Sequence, residues 1–399
     1  MTLNHSIIYR PTMKKLATYT LAATLTAVMA TACGTTRQTA CKEKFAVDNV
    51  AGFPSQDPGY ALGVSACYAG HTGNYIIIAG GCNFPVPGQK RYYDGIYAAR
   101  TNADSLVWQL VGRLPEAAAY GATVESGDSL IFIGGNNSLG SMRLVTSVHL
   151  DTTRMQATLN AMPPLPVTAD NLGAALCGDK VVAVGGNQDG KPSAKAWAMQ
   201  LGGNTGWTAL PSVPGTPRVQ PTVAGCGSKV YVWGGFYQNG DNSVVNTDGQ
   251  CLDTATDQWH ALPAPTAPNG ETLTLSGATA TVTGGTVGTY PTIICAGGVN
   301  KDIFLDAISG RYRLVDKAKY LEQPIPWYRF NGTLLQFDTH TGQWTDTNIT
   351  DSRLARAGAL LVRTDQHLYY IGGELKPALR TPQTLAISVR RGTGGKRLK

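Results

Sequence analysis

The stretch AYGATVESGDSLIFIGG, residues 119–135, is the one on which the fold turns. Two short runs suited to strands, ATVES and LIFI, flank a turn signal, and the second run ends in Gly-Gly. Apolar and β-branched runs bounded by Gly, Asp and Ser read as an antiparallel pair. The same ending recurs as YIIIAGG (75–81), VVAVGG (181–186), VYVWGG (230–235), TIICAGG (292–298) and LYYIGG (368–373). The second glycines are 54, 51, 49, 63 and 75 residues apart. Strand-rich units that repeat at roughly 50 residues mark a propeller or a solenoid.

Each unit carries more than this pair. A third strand and then a Trp-containing fourth follow, as in VWQLVGRLP (107–115), GWTALP (206–211), QWHALP (258–263) and QWTDT (343–347). Four strands per unit with Gly-Gly after the second is the kelch pattern. Six such units predict an all-β, six-bladed kelch β-propeller. The last unit lacks its fourth strand, having only TLAISV (384–389) after its Gly-Gly. The early stretch FAVDNVAGFP (45–54) matches the missing one, so the N-terminal strand is expected to close the last blade and hide two sheet edges. The long spacings place an excursion at about residues 306–328, helical or lid-like, and a long first-strand hairpin at residues 265–285.

Charge and cysteines narrow the function classes. The net charge is +7, but Arg10, Lys14, Lys15 and five basic residues from Arg390 onward lie in ends that hold no acid, leaving the body at about −1. No broad basic surface calls for nucleic acid. Met13-Lys14-Lys15, an apolar stretch from Leu16 to Met29, then Ala30-Thr31-Ala32-Cys33 read as an export signal, with Met13 as a candidate start. A Cys after small residues at the end of such a stretch resembles a bacterial lipoprotein signal. The expected layout is therefore a signal peptide (1–32), a lipidated linker from Cys33 (33–44), the propeller (45–390) and a basic tail (391–399). That places the mature chain in the periplasm or on the outer membrane, attached through lipid on Cys33 only, with ordinary cleavage of the leader as the alternative. Seven of the eight cysteines remain, without Cys-x-x-Cys or Cys/His clusters, so no metal site is expected and buried free thiols are.

The repeat register also selects a pocket. Loops after the second strands and loops entering the first strands open on one face of a propeller, where sites form. After the Gly-Gly pairs stand Asn83-Phe84, Asn136-Asn137, Asn187-Gln188, Phe236-Tyr237, Asn300 and Glu374. Entering the first strands are Tyr60, Tyr120, Asn171, Arg218 with Gln220, Glu271, and Arg353 with Arg356. Amides and rings suit sugar hydroxyls and C–H faces, and arginines add carboxylate or phosphate recognition. Glu374 is the only carboxylate that directly follows a Gly-Gly pair, and Arg380 lies six residues on. No histidine falls in these loops, which argues against copper-radical chemistry of the galactose-oxidase type.

Several segments resemble the kelch-type N-acetylneuraminate mutarotases, or epimerases, in their circularly permuted branch. These are GGELKPALRT (372–381), GGVNKDIF (297–304), PRVQPTVAGCGSKVYVWGG (217–235) and GGCNFP (80–85), and the likeness spans about residues 45–390. The loop VPGQKRYYDG (86–95) departs from it, being basic where the family has an acidic loop. The resemblance implies exchange of the α and β anomers of a sialic acid, with Glu374 as proton acceptor and Arg380 beside it as a catalytic residue. It implies that Arg380 and Arg218 hold the sugar carboxylate and that Asn300 and Asn83 bond hydroxyls or the N-acetyl group. Phe84, Gln220 and Tyr120 complete the substrate-binding set. Water or Lys376 would protonate the ring oxygen, and neither metal nor nicotinamide is needed. A non-catalytic glycan-binding lipoprotein and a kelch interaction scaffold remain the alternatives.

Overall fold

The computed structural model describes residues 44–390 apart from 102–104, 204, 285–289 and 366. The expected leader, Cys33, the linker up to residue 43 and the basic tail lie outside the described residues. The chain is all-β with a propeller-like kelch arrangement. Among the described residues, six antiparallel sheets carry the repeat units, five of them four-stranded and the one opening at Val219 five-stranded through a short added pairing. The first consists of Tyr68–Thr72, Tyr75–Ala79, Gly95–Arg100 and Trp108–Arg113. The following sheets open with Ala122–Ser126, Gly173–Cys177, Val219–Cys226, Ala278–Thr283 and Leu360–Arg363. In the last sheet, Thr384–Arg390 is flanked by Leu368–Ile371 and by Lys44–Val50, so an N-terminal strand fills the outer place.

The Gly-Gly pairs show why only glycine serves there. Gly297 and Gly298 both have positive φ, 77° and 108°, a conformation that L side chains rarely adopt. A Cβ on Gly297 would stand 2.3 Å from the backbone oxygen of Arg356, in the next unit. The amide of Gly298 donates to that same oxygen at 2.8 Å. Each pair is thus a close joint between neighbouring units. Gly81, Gly135, Gly186 and Gly373 repeat the bond, to Ala118, Ala169, Arg218 and Val64. At the periphery the tryptophans do similar work. Trp207, Trp259 and Trp344 donate through Nε1 to the carbonyls of Pro163, Pro211 and Pro263, each at 2.9 Å. Every one of these bonds reaches back to the exit of the preceding unit. The packing between sheets is apolar, as in the cluster of Ile76, Ile78, Tyr97, Val362, Tyr369 and Ile371 that joins the last unit to the first.

A ring of backbone hydrogen bonds runs round the axis at the entries to the first strands. Tyr120 N donates to Ala66 O, Asn171 N to Tyr120 O and Gln220 N to Asn171 O, at 2.7–2.9 Å. Gly277 N continues to Gln220 O, Gly358 N to Gly277 O, and Ala66 N returns to Gly358 O. All six ring residues have positive φ, between 52° and 68°. This register corrects three expected entries. The ring positions of the first, fifth and sixth units are Ala66, Gly277 and Gly358, whereas Tyr60, Glu271 and Arg356 stand outside it. The demand for positive φ favours small residues at these places.

Both insertions also differ from expectation. Residues 265–277 form a loop closed by a bridge between Thr266 and Thr272, and the strand begins only at Ala278. The other excursion starts earlier than residue 306, with a helix α1 at Lys301–Ile308. Two 3-10 turns follow, Lys317–Glu322 and Ile325–Tyr328.

Candidate functional site

The first strands surround a cavity of about 480 Å³. Tyr120, Asn171 and Gln220 line it from their ring positions, joined by Phe236, Phe304 and Glu374. A residue other than glycine held in the left-handed region costs roughly 1–2 kcal/mol. Three large polar side chains bear that cost here, which marks the ring as a place where backbone strain is kept for what the side chains do. One wall is a polar network. Gln220 Nε2 donates to Asn171 Oδ1 at 2.8 Å, and Asn171 Nδ2 donates to Asp170, a carboxylate 4% exposed. Asn187 Nδ2 (2.9 Å) and the Ser141 hydroxyl satisfy Asp170 further.

Glu374 opens a two-stranded hairpin, Glu374–Lys376 with Leu379–Arg380, directly after Gly373. The hairpin sets Glu374 opposite Arg380. Arg380 Nη2 lies 2.6 Å from Glu374 Oε2, with side-chain exposures of 4% and 22%. Nε of Arg380 donates to Ser65 Oγ at 3.0 Å, and its guanidinium carbon sits 5.0 Å from the centre of the Phe84 ring. Burial pushes the Glu374 carboxyl above the usual carboxylate range, while the charges of Arg380 and Lys90 pull it back. Tyr120 receives a hydrogen bond on its phenol oxygen from Cys82 Sγ at 3.5 Å. Burial holds this phenol well above its ordinary pKa, with the neighbouring Cys82 and Glu374 adding to the effect and Arg380 opposing it, so it stays protonated. The site therefore presents a partly exposed carboxylate with a raised pKa and a neutral phenol to one cavity. The raised carboxylate pKa suits Glu374 to accept a proton, and the phenol supplies a neutral O–H beside it.

A family model described as N-acetylneuraminate epimerase matches residues 162–393, more than half of the chain. The chain belongs to this family. Curated relatives called N-acetylneuraminate epimerase include one from Yersinia pestis (strain Pestoides F), 33% identical over 187 residues, or 44% of this chain and 45% of that protein. Another from Shigella flexneri serotype 5b (strain 8401) is 32% identical over 186 residues, 44% of this chain and 47% of its own length. The match thus spans about half the length of these relatives. The solved structure of YjhT overlays on 82% of this chain and 97% of its own, with a TM-score of 0.58 and 13% identity, a likeness of fold.

Within the family register, the structure redistributes the expected roles. Glu374, Tyr120 and Gln220 line the cavity. Arg380 does not face it freely. Its guanidinium is spent on Glu374 and Ser65, and Nη1 is buried without an acceptor among the described residues. Phe84 stacks on that arginine. Arg218, expected to bind the carboxylate, is 1% exposed and bonds Gly234 O (2.8 Å) and Asp248 Oδ2 (2.7 Å). It is a joint of the scaffold. Its counterpart Arg356 bonds Gly372 O at 2.8 Å, and both arginines stand two residues before a ring position. That repetition, visible in the sequence, signals scaffold as the glycines do.

Asn83 and Asn300 are likewise corrected. Asn83 is 2% exposed and donates to Gly59 O (2.6 Å) and Gly63 O (2.8 Å) while accepting from Tyr93. Asn300 caps α1, its side chain accepting from the amides of Asp302 and Ile303, each at 3.1 Å. Lys376 donates to Leu321 O (3.0 Å) and Gln323 O (2.7 Å), which docks the excursion onto the Glu374 hairpin and takes this ammonium away from proton donation. Tyr320 and Tyr328 come close enough for the Glu374 charge to reinforce the rise that burial gives their phenols. Sequence reasoning did not select Asp170, Phe304 or Lys90. Of these, Lys90 carried a signal, the basic run Gln89-Lys90-Arg91 in the loop after the first Gly-Gly pair.

Proposed function

We propose that this protein interconverts the α and β anomers of N-acetylneuraminic acid by general acid–base ring opening. The observation that carries this reading is Glu374, a carboxylate with a raised pKa on the axial cavity, held in an ion pair by Arg380. Glu374 takes the proton of the anomeric hydroxyl. The ring C–O bond breaks as the anomeric oxygen becomes a ketone, and the ring oxygen takes a proton from the Tyr120 phenol. Cys82 donates to the phenol oxygen, which leaves the phenol's own proton free for this step. Rotation about the exposed carbon–carbon bond and closure on the other face return both protons. A positioned proton transfer is worth about 10²–10⁴-fold. That is adequate for a reaction that already proceeds slowly in water.

Proton NMR of freshly dissolved N-acetylneuraminic acid tests this. Catalytic amounts of the protein should bring the two anomers to equilibrium well before the buffer alone does. A protein that binds the sugar without hastening exchange would be a glycan-binding module instead, and one that does neither would be an interaction scaffold.

The same reading gives the fold its finer form. The six sheets act as the blades of one six-bladed ring, with Lys44–Val50 as the closing strand; the axial ring of hydrogen bonds supports this. The leader supports export and a lipid on Cys33, with the mature chain outside the cytoplasm. In bacterial cells, Cys33→Ala should shift the protein from the membrane to the soluble periplasmic fraction. If both forms fractionate alike, the anchor is wrong.

A further inference from the structure

The proposed substrate is an acid, and the guanidinium groups of Arg380 and Arg218 are buried and already paired with Glu374 and Asp248. Lys90 stands differently. It lies on the hairpin formed by Cys82–Val86 and Gln89–Tyr92, which follows the first Gly-Gly pair as the Glu374 hairpin follows the last. Its Nζ is 4.5 Å from the centre of the Tyr120 ring and 5.2 Å from that of Tyr92. The two faces hold the ammonium in place, a contact worth about 0.5–1 kcal/mol when exposed. Among the described residues, Lys90 enters no ion pair. The other cations here are committed: Arg91 to Asp57, Arg380 to Glu374, Lys376 to two carbonyls. Lys90 is thus an exposed positive charge, steered over the phenol that lines the cavity, with no anion of its own.

The chemistry of the substrate says where such a charge is needed. In a 2-keto sugar acid the carboxylate is attached to the anomeric carbon itself. A base that takes the anomeric proton therefore has the carboxylate as its immediate neighbour. A cation for that carboxylate must stand within electrostatic reach of Glu374, and Lys90 does, since its charge lowers the Glu374 pKa. We infer that Lys90 receives the carboxylate of the sugar acid and makes the site selective for 2-keto acids over neutral sugars. This rests on the function proposed above. Lys90 leaves Arg380 to brace Glu374 and Gln220 with Asn171 to meet hydroxyls.

Isothermal titration of the wild type, Lys90→Met and Lys90→Arg with N-acetylneuraminic acid and with its neutral methyl ester tests the assignment, alongside anomer exchange by NMR. The wild type should prefer the acid. In Lys90→Met the Kd for the acid should rise about tenfold or more, as expected for loss of a charge-assisted bond, while the ester binds as before. Lys90→Arg should keep most of the preference. A Lys90→Met protein that still prefers the acid as the wild type does overturns the inference, as does a wild type without preference. A wild type with Lys90-dependent acid binding but no faster exchange leaves this inference standing and sinks the mutarotase reading. Faster exchange with Lys90-independent binding does the reverse.

Discussion

Glu374→Gln should slow anomer exchange by about 10²–10⁴-fold while leaving sugar binding largely intact. Glutamine keeps the shape and an oxygen that accepts from Arg380, so the hydrogen bond survives, but the buried guanidinium loses its counter-charge and the melting temperature should fall. What glutamine loses is the lone pair basic enough to take the anomeric proton. Because burial raises the Glu374 pKa above its usual value near 4.5, the wild-type rate should fall as pH drops through that raised value. The acidic limb should therefore sit at higher pH than for an exposed carboxylate and be missing from the Gln variant. The measurement is anomer exchange by NMR across pH, with titration of the sugar for binding. A Gln variant within a few-fold of the wild type would remove Glu374 from the mechanism.

Arg380→Met should damage both stability and rate. The arginine is 4% exposed and its carboxylate partner 22%, so its removal strands a mostly buried charge. Breaking such a pair costs about 3–5 kcal/mol, and the lower end applies here because Glu374 keeps some water and can protonate. The sign of the pH dependence follows from the Arg380 charge, which lowers the Glu374 pKa. Without it the folded-state pKa rises further above the unfolded value. The destabilisation is then small below about pH 4.5, where the carboxyl is protonated in both states, and grows as pH rises through the folded value. The acidic limb of activity should move to higher pH in the same variant. Thermal melts at pH 4 and pH 8 with a matching rate profile decide it; equal melting points at pH 8 and an unmoved limb would show that Arg380 does not brace Glu374.

The division of labour in these two residues reflects what each level of description can hold. Local sequence carries the strand alternation, the turns and the Gly-Gly pairs, because each is a demand made by a few consecutive residues on their own backbone. Gly297-Gly298 needs two successive left-handed conformations, and no other residue type accepts both cheaply. That is why the repeat and its kelch, all-β character are legible without coordinates. Glu374 is legible for a related reason, since it is the one carboxylate that follows such a pair at once. The roles of Arg218, Asn83 and Asn300 are not. Each sits in a loop of the expected face, yet its partners are Gly234 and Asp248, Gly59 and Gly63, or the first amides of α1. Whether a polar side chain meets water or a buried carbonyl depends on how neighbouring units stack, which no short window records. Lys90 and Tyr120 lie 30 residues apart in different units, and only the packing of those two units brings the ammonium over the phenol. The residue pattern alone marks the strand repeat and the carboxylate that follows its last Gly-Gly pair. The tertiary structure decided which of its charges are joints between sheets and which are left facing the cavity, because burial and pairing are set by contacts between units.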